Sequence, residues 1–255
     1  MKKSGKLVIT ILTAAVLVLT LLVTGCGTEK VQNKVLTLSP YAEEKGKTPV
    51  TYTGKFTGEL KGDKPHGNGV FKFQTDGVDT TYTGGFKNGK FDGAGIIEYS
   101  DTTSGWNTYY KTYDAPGYTY KIRKQEVNYK EGLPHGKIKT YLISGTICRE
   151  IDYKDGKMNG KDLQYHAKGK IYRDFEMKDG KPLGIGKMWY ENGQLGFEVE
   201  YKDGNANGKG KEYYENGQIR FDGEYKDGKR SEGTLYNQNG SVQYQGKFVD
   251  GKPVK

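Results

Sequence analysis

Glycines recur with a constant period along the second half of the chain, and this period constrains the fold more than any other feature. One series lies in Lys-Asp-Gly or a variant of it, with spacings of 24, 24, 24, 24 and 23 residues, at Gly132, Gly156, Gly180, Gly204, Gly228 and Gly251. A second series alternates with the first, with spacings of 24, 24, 24 and 23 residues, at Gly145, Gly169, Gly193, Gly217 and Gly240. Glycine after Asp or Asn is typical of hairpin turns, and Asn192-Gly193 and Asn216-Gly217 predict type I′ turns with positive φ at both residues. Two turns in each period predict two strands in each repeat.

Between the turns, apolar and polar residues alternate with the period of two that is typical of a strand. Ile219, Phe221, Gly223 and Tyr225 are predicted to share one face, with charged residues between them on the other face. The equivalent positions in two neighbouring repeats are Leu195, Phe197, Val199 and Tyr201, and Val242, Tyr244, Gly246 and Phe248. Three repeats therefore agree on which face is apolar, and this specifies the register of the sheet.

The partner strand of each repeat begins with two glycines, as in Gly184-Ile185-Gly186 and Gly208-Lys209-Gly210. Glycine inside a strand weakens a sheet, so a repeated pair needs a physical reason. We expect Tyr and Phe rings of the adjacent strand to lie over the bare glycine backbone, and the alternative is a sharp bend of the strand.

The composition favours a thin sheet over a thick core. The chain has 38 glycines and 21 tyrosines, and only 34% of its residues are hydrophobic. A tyrosine buries a large ring and keeps its hydroxyl near water. A single 24-residue repeat has too few apolar side chains to fold alone, so neighbouring repeats must stabilise each other. We therefore predict an all-β fold, an antiparallel meander of tandem β-hairpin repeats that forms a single curved sheet, or open solenoid.

The N-terminus has the features of a bacterial export signal. Lysines and an apolar run from Leu7 precede Leu21-Leu22-Val23-Thr24-Gly25-Cys26, which resembles the lipobox of lipoprotein signal peptides. The resemblance implies a diacylglycerol on Cys26, a lipid anchor in the cell membrane and a folded part on the extracytoplasmic side. Removal of three lysines with the signal peptide leaves 37 basic and 31 acidic residues, a charge of +6. The chain has no run of like charges of the kind that binds nucleic acid, and we expect no nucleic-acid partner.

Two stretches in the first half of the chain have the same spacing of Tyr, Gly and Phe, namely Tyr52-Thr53-Gly54-Lys55-Phe56 and Tyr82-Thr83-Gly84-Gly85-Phe86. These stretches resemble MORN repeats, and units such as Tyr201-Lys202-Asp203-Gly204 resemble the bacterial variant of that repeat found in YwqK-type antitoxins. The predicted order is a signal peptide at 1–25, a spacer at 26–49, MORN repeats at 50–99, an irregular aromatic hairpin at 100–126 and variant repeats at 127–255.

No residue pattern predicts catalysis, a cofactor or a metal. His66, His135 and His166 lack metal-ligand spacing, and the first two lie in matching Pro-His-Gly segments. Cys148 is predicted to point outward and has no neighbouring base. The repeated aspartates Asp155, Asp179, Asp203 and Asp227 fall at equivalent turn positions, so we assign them to the turns. We expect the chain not to be an enzyme.

The leading hypothesis is a membrane-anchored, non-catalytic binding or scaffold module on the cell surface with a protein partner. Two alternatives remain open, an antitoxin or immunity-like protein that neutralises a toxin, and a module that binds phospholipid or an anionic wall polymer. The candidate surface is the aromatic face, with the rings that the repeat explains least, Trp106, Tyr109, Tyr110, Tyr113, Tyr118, Tyr120 and Trp189.

Overall fold

The computed structural model describes residues 27–41, 48–75, 77–100 and 122–254. Within these residues the regular elements are all strands, which confirms the all-β prediction. The strands are β1 Thr28–Leu38, β2 Tyr52–Lys61, β3 Lys64–Thr75, β4 Val78–Lys87, β5 Lys90–Tyr99, β6 Ile122–Lys130, β7 Leu133–Pro134, β8 Gly136–Leu142, β9 Ile147–Lys154, β10 Lys157–Tyr165, β11 Ile171–Lys178, β12 Lys181–Trp189, β13 Leu195–Lys202, β14 Asn205–Tyr213, β15 Ile219–Lys226, β16 Lys229–Tyr236, β17 Val242–Val249 and β18 Lys252–Pro253. The same part of the chain contains no helix that could span a bilayer.

The strands form one open antiparallel sheet in which neighbours in sequence are neighbours in space. β1 pairs with β2, β9 pairs with β10, and the series continues to β17 and β18. The short β7 and the following β8 both pair with β6, so they act as one interrupted strand. The sheet does not close on itself, which confirms the predicted open meander of hairpins.

The two series of turns differ in conformation. In the Lys-Asp-Gly series both central residues have positive φ, for example 53° at Asp203 and 93° at Gly204, so these are the type I′ turns. The prediction of type I′ turns at Asn-Gly was wrong, because Gly193 has a φ of 91° but Asn192 has no positive φ. The Asn192 Oδ1 accepts a 2.8 Å hydrogen bond from the Gln194 backbone N–H, which holds a three-residue loop instead.

The two glycines at the start of each partner strand have separate roles. Both explanations hold, since one glycine bends the strand and the other makes room for rings. A Cβ on Gly186 would lie 2.8 Å from the Tyr201 ring and 3.0 Å from the Phe175 ring, so the second glycine makes room for rings. The first glycine, Gly184, has a φ of 73° and lies where the pairing of β11 with β12 shifts register. The first glycine therefore bends the strand at a β-bulge, and the second lies under the aromatic core.

The rings and aliphatic side chains on one side of the sheet, here called the core face, form two buried clusters. The first contains Leu38, Phe56, Leu60, Phe71, Phe73, Tyr82, Phe86, Phe91, Ile97, Val127, Tyr129, Ile138 and Ile151. The second contains Phe175, Met177, Val199, Tyr201, Ala206, Phe221, Tyr225 and Phe248. The alternation predicted for Phe221 and Tyr225 is confirmed, since they are only 0% and 7% exposed.

A second β-bulge, near the start of each returning strand, changes the face of one predicted core position. Tyr213 pairs with Ile219, but Glu212 pairs with Phe221, so Arg220 is an extra residue. One extra residue reverses the alternation, which places Ile219 on the face opposite the core. The same shift occurs directly after Leu195 and after Val242, so the assignment of Ile219, Leu195 and Val242 to the core face was wrong.

The same bulge explains why the outward orientation predicted for Cys148 was wrong. Thr140 pairs with Arg149 and Tyr141 pairs with Ile147, so Cys148 is the extra residue. It is 4% exposed, and its Sγ lies 3.4 Å from the Thr140 carbonyl oxygen.

The prediction of a spacer at 26–49 was wrong, because Thr28–Leu38 forms β1, which pairs with β2. The following segment packs on the core face, where the Phe91 N–H donates a 2.9 Å hydrogen bond to the Pro40 carbonyl. Asn33 has a φ of 53° at a register shift, and this irregularity obscures the period of two. The predicted irregular hairpin at 100–126 is also too long at its end, since β6 begins at Ile122.

Candidate functional site

Most residues of the predicted binding surface lie outside the described part of the chain. These are Trp106, Tyr109, Tyr110, Tyr113, Tyr118 and Tyr120, and the lipidation residue Cys26 lies outside it as well. Their roles stay predictions. Within the described residues, the repeat rings of the core face do not form an accessible surface, because they are buried against glycines and each other.

Trp189 lies on the face opposite the core and belongs to a repeated position. It is the last residue of β12 and follows Met188, which packs on the second core cluster. Equivalent strands also have an aromatic residue at or next to their last position, with spacings of 24, 24, 24 and 23 residues, at Tyr141, Tyr165, Trp189, Tyr213 and Tyr236. The view of Trp189 as a ring that the repeat does not explain was therefore wrong, while its binding role remains a prediction.

Each of these rings faces an aliphatic side chain on the next strand. The register pairs are Tyr141 with Ile147, Tyr165 with Ile171, Trp189 with Leu195, Tyr213 with Ile219, and Tyr236 with Val242. We call these ten residues the aromatic row. The five aromatic residues are all partly exposed, and Ile171 and Val242 are 41% and 58% exposed. The row is an apolar strip that crosses the strands on the face opposite the core.

Side chains of the preceding repeat hold the backbone of the aromatic row in place. The Tyr190 hydroxyl donates a 2.8 Å hydrogen bond to the Tyr213 carbonyl, and the Tyr214 hydroxyl donates a 2.7 Å hydrogen bond to the Tyr236 carbonyl. One repeat earlier, the His166 Nε2 lies 3.0 Å from the Trp189 carbonyl oxygen. These bonds couple the repeats, so the row is built on rigid strand ends.

Paired charges run beside the aromatic row on the same face. The Lys187 Nζ lies 2.8 Å from Glu198 Oε2, and the Lys211 Nζ lies 3.1 Å from Asp222 Oδ2, one repeat further along. These lysines have their pKa raised by hydrogen bonds and charge interactions with Glu198 and Asp222. We call these two pairs, with Lys161–Asp174 at 2.8 Å, the ion-pair ladder. Because each cation is next to an acid, the ladder is close to neutral.

Two tyrosine hydroxyls of the row point to acidic residues. The Tyr165 hydroxyl donates a 2.9 Å hydrogen bond to Glu150 Oε1, and burial together with this bond raises the pKa of Tyr165 to about 12. The pKa of Tyr141 is raised to about 12 by burial and by its hydrogen bond with Glu126. Both phenols are therefore neutral and held in a fixed orientation at physiological pH.

Among the described residues, the core face contains one buried ionic centre, at Asp162, and one partly buried ionic centre, at Glu212. Asp162 is 1% exposed and accepts hydrogen bonds of 2.8 and 3.2 Å from Arg149, and it occupies the position of Gly186 in the next repeat. Burial alone would raise the pKa of Glu212, but hydrogen bonds from Arg230 and Tyr225 outweigh it and leave that pKa lowered. Both carboxylates are occupied by arginines, so they serve the fold.

In the part of the chain that the structure describes, the remaining reactive side chains do not converge on one site. No group of three or more His, Cys, Asp or Glu residues suited to a metal occurs in the described ranges. Burial raises the pKa of the Cys148 thiol to about 11, which keeps it protonated and unreactive at neutral pH. The sequence indicated no base near this thiol, and the structure shows it buried in the core.

Comparison with protein families identifies MORN repeats in the chain. The MORN repeat pattern matches residues 56–78, 82–104 and 221–242, and the MORN repeat variant pattern matches residues 182–203 and 206–227. The predicted MORN resemblance is confirmed for these segments. Proteins built of such repeats are generally non-catalytic binding modules. A comparison with curated protein sequences found no match.

Proposed function

We propose that the chain is a non-catalytic binding module that is anchored to the outer side of a bacterial membrane through lipid on Cys26. The observation that carries the binding function is the aromatic row, because the same partly exposed apolar pair recurs on one face in five consecutive repeats. A surface that repeats along the sheet suits an extended ligand.

The charges of the ion-pair ladder help to distinguish between the alternative functions. Lys187 and Lys211 are paired with acids beside the row, so this strip does not present the unbalanced positive charge that attracts a polyanion. The strip combines apolar rings with charges that balance. It therefore favours a ligand that is recognised through van der Waals and hydrogen-bond contacts, rather than an anionic phospholipid surface or an anionic wall polymer. Neutralisation of a toxin stays an alternative that no described contact favours.

The anchor is tested by metabolic labelling with an alkyne fatty acid. We expect label on the wild-type chain, loss of label in Cys26→Ser, and full label in the matched control Cys148→Ser. Equal labelling of Cys26→Ser would show that Cys26 does not carry the lipid.

A further inference from the structure

We propose that the aromatic row binds an uncharged, linear β-1,4-linked polysaccharide chain that lies across the strands from β8 to β17. This assignment rests on the binding function proposed above and names its class of ligand. The argument uses the spacing of the rings, their exposure and the charge beside them.

The spacing of the rings fits a disaccharide repeat. Successive aromatic residues of the row lie on every second strand, for example Tyr165 on β10, Trp189 on β12 and Tyr213 on β14. Two strand spacings amount to about 10 Å. In an extended β-1,4-linked chain each sugar is turned over relative to its neighbour, so the same sugar face returns with every second unit. That disaccharide is about as long as two strand spacings, so each aromatic residue meets one disaccharide.

The chemistry of the row fits the apolar side of a sugar. The C–H groups of a pyranose ring pack well against an aromatic side chain, since the aromatic face is electron-rich and the contact removes apolar area from water. Between the rings, Ile171, Leu195 and Ile219 provide apolar contacts for the sugar that bridges two aromatic residues.

The charges beside the row fit a neutral ligand with many hydroxyls. Lys187 with Glu198, and Lys211 with Asp222, place a hydrogen-bond donor and an acceptor next to each other in two consecutive repeats. Sugar hydroxyls both donate and accept, so they can bond to either member of such a pair. A uniformly charged polymer would instead meet repulsion from half of the side chains.

The test measures binding of chitohexaose and cellohexaose to the full chain, purified in detergent. Titration calorimetry of the unsubstituted chain measures binding directly. We expect saturable binding of both hexasaccharides and no binding of α-linked maltohexaose. Affinity should rise at least about tenfold from disaccharide to hexasaccharide, because adjoining repeats bind one chain.

Variants separate the row from the rest of the surface in titration calorimetry. Tyr213→Ala should weaken hexasaccharide binding about five- to tenfold, while Tyr213→Phe should retain it because the ring is kept. Val35→Ala on β1 is the control, since Val35 is 64% exposed and lies outside the row. Thermal unfolding of each variant verifies that the fold is retained.

Two outcomes would overturn the assignment in distinguishable ways. If neither hexasaccharide binds but anionic vesicles or a protein partner bind through Tyr213, the ligand class is wrong and the binding function stands. If row variants change no interaction of the chain with sugars, vesicles or envelope proteins, the proposed function fails as well.

Discussion

Replacement of Gly95 by alanine should destabilise the chain because the ring of Tyr82 occupies the space over this glycine. A Cβ on Gly95 would lie 2.5 Å from Cε2 of Tyr82 and 2.7 Å from both its Cζ and its hydroxyl oxygen. The ring is held by burial, by stacking on Phe91 at 3.8 Å between centroids, and by a 3.0 Å hydrogen bond to the Gly85 carbonyl. It therefore has little freedom to move away.

The expected magnitude follows from two opposing effects of Gly95→Ala. Overpacking of a tight core costs ~1–3 kcal/mol. Alanine restricts the unfolded chain and by itself stabilises the protein by ~0.4–1 kcal/mol. Gly95 has no positive φ, so no backbone strain adds to the balance. The net result is a loss of about 1–2 kcal/mol in the free energy of unfolding.

Urea denaturation followed by circular dichroism measures this loss in the unlipidated chain, Cys26→Ser. The control is Tyr82→Leu, because leucine lacks the Cε2, Cζ and hydroxyl atoms that approach position 95. In that background Gly95→Ala should be neutral or stabilising, which gives a coupling energy of about 1 kcal/mol or more. An equal loss in both backgrounds would refute the claim that the ring requires the glycine.

Three further predictions concern Glu212, Cys148 and Asp203. The folded-state pKa of Glu212 lies below its ordinary value of 4.5, so its contribution to stability is present above that pH and is lost as the pH falls through the lowered pKa. Thermal unfolding between pH 7 and 3 should therefore show a smaller acid-induced loss in Glu212→Gln than in wild type, and parallel curves would contradict this. With Cys26→Ser, the buried Cys148 thiol should react with Ellman's reagent at pH 8 only after urea is added, and rapid reaction of the folded chain would show that it is accessible. Asp203→Val should cost ~1–2 kcal/mol in a denaturant titration because Asp203 has a φ of 53°, whereas Asp203→Asn should be nearly neutral.

The hairpin repeats could be predicted because their signals are local. Gly204 and its equivalents have positive φ, and this requirement is visible in the sequence as a constant period. The alternation of Phe221 and Tyr225 is likewise a property of adjacent residues. The packing of rings on glycines such as Gly186 could also be predicted, because these glycines lack a side chain at positions where the neighbouring strand carries aromatic rings.

The aromatic row could not be placed from alternation alone. The β-bulge at Arg220 adds one residue to the strand and reverses the face to which the preceding side chains point. Ile219 therefore lies on the face opposite the core and not on the predicted core face. The signal that could have revealed the row is the 24-residue spacing of Tyr165, Trp189 and Tyr213, each directly before a turn. In the same way, the irregularity at Asn33, which has a positive φ, interrupts the alternation in β1, so this strand could not be recognised in the sequence.

The most direct test of the account compares the solvent accessibility of tyrosines on the two faces. Hydroxyl-radical footprinting with mass spectrometry reports side-chain accessibility residue by residue. The account predicts that Tyr213 and Tyr236 of the aromatic row are oxidised several times faster than Tyr82 and Tyr225, which are 0% and 7% exposed on the core face. Equal oxidation of the four residues, or faster oxidation of Tyr82 and Tyr225, would contradict the division of the sheet into a buried aromatic face and an accessible aromatic row.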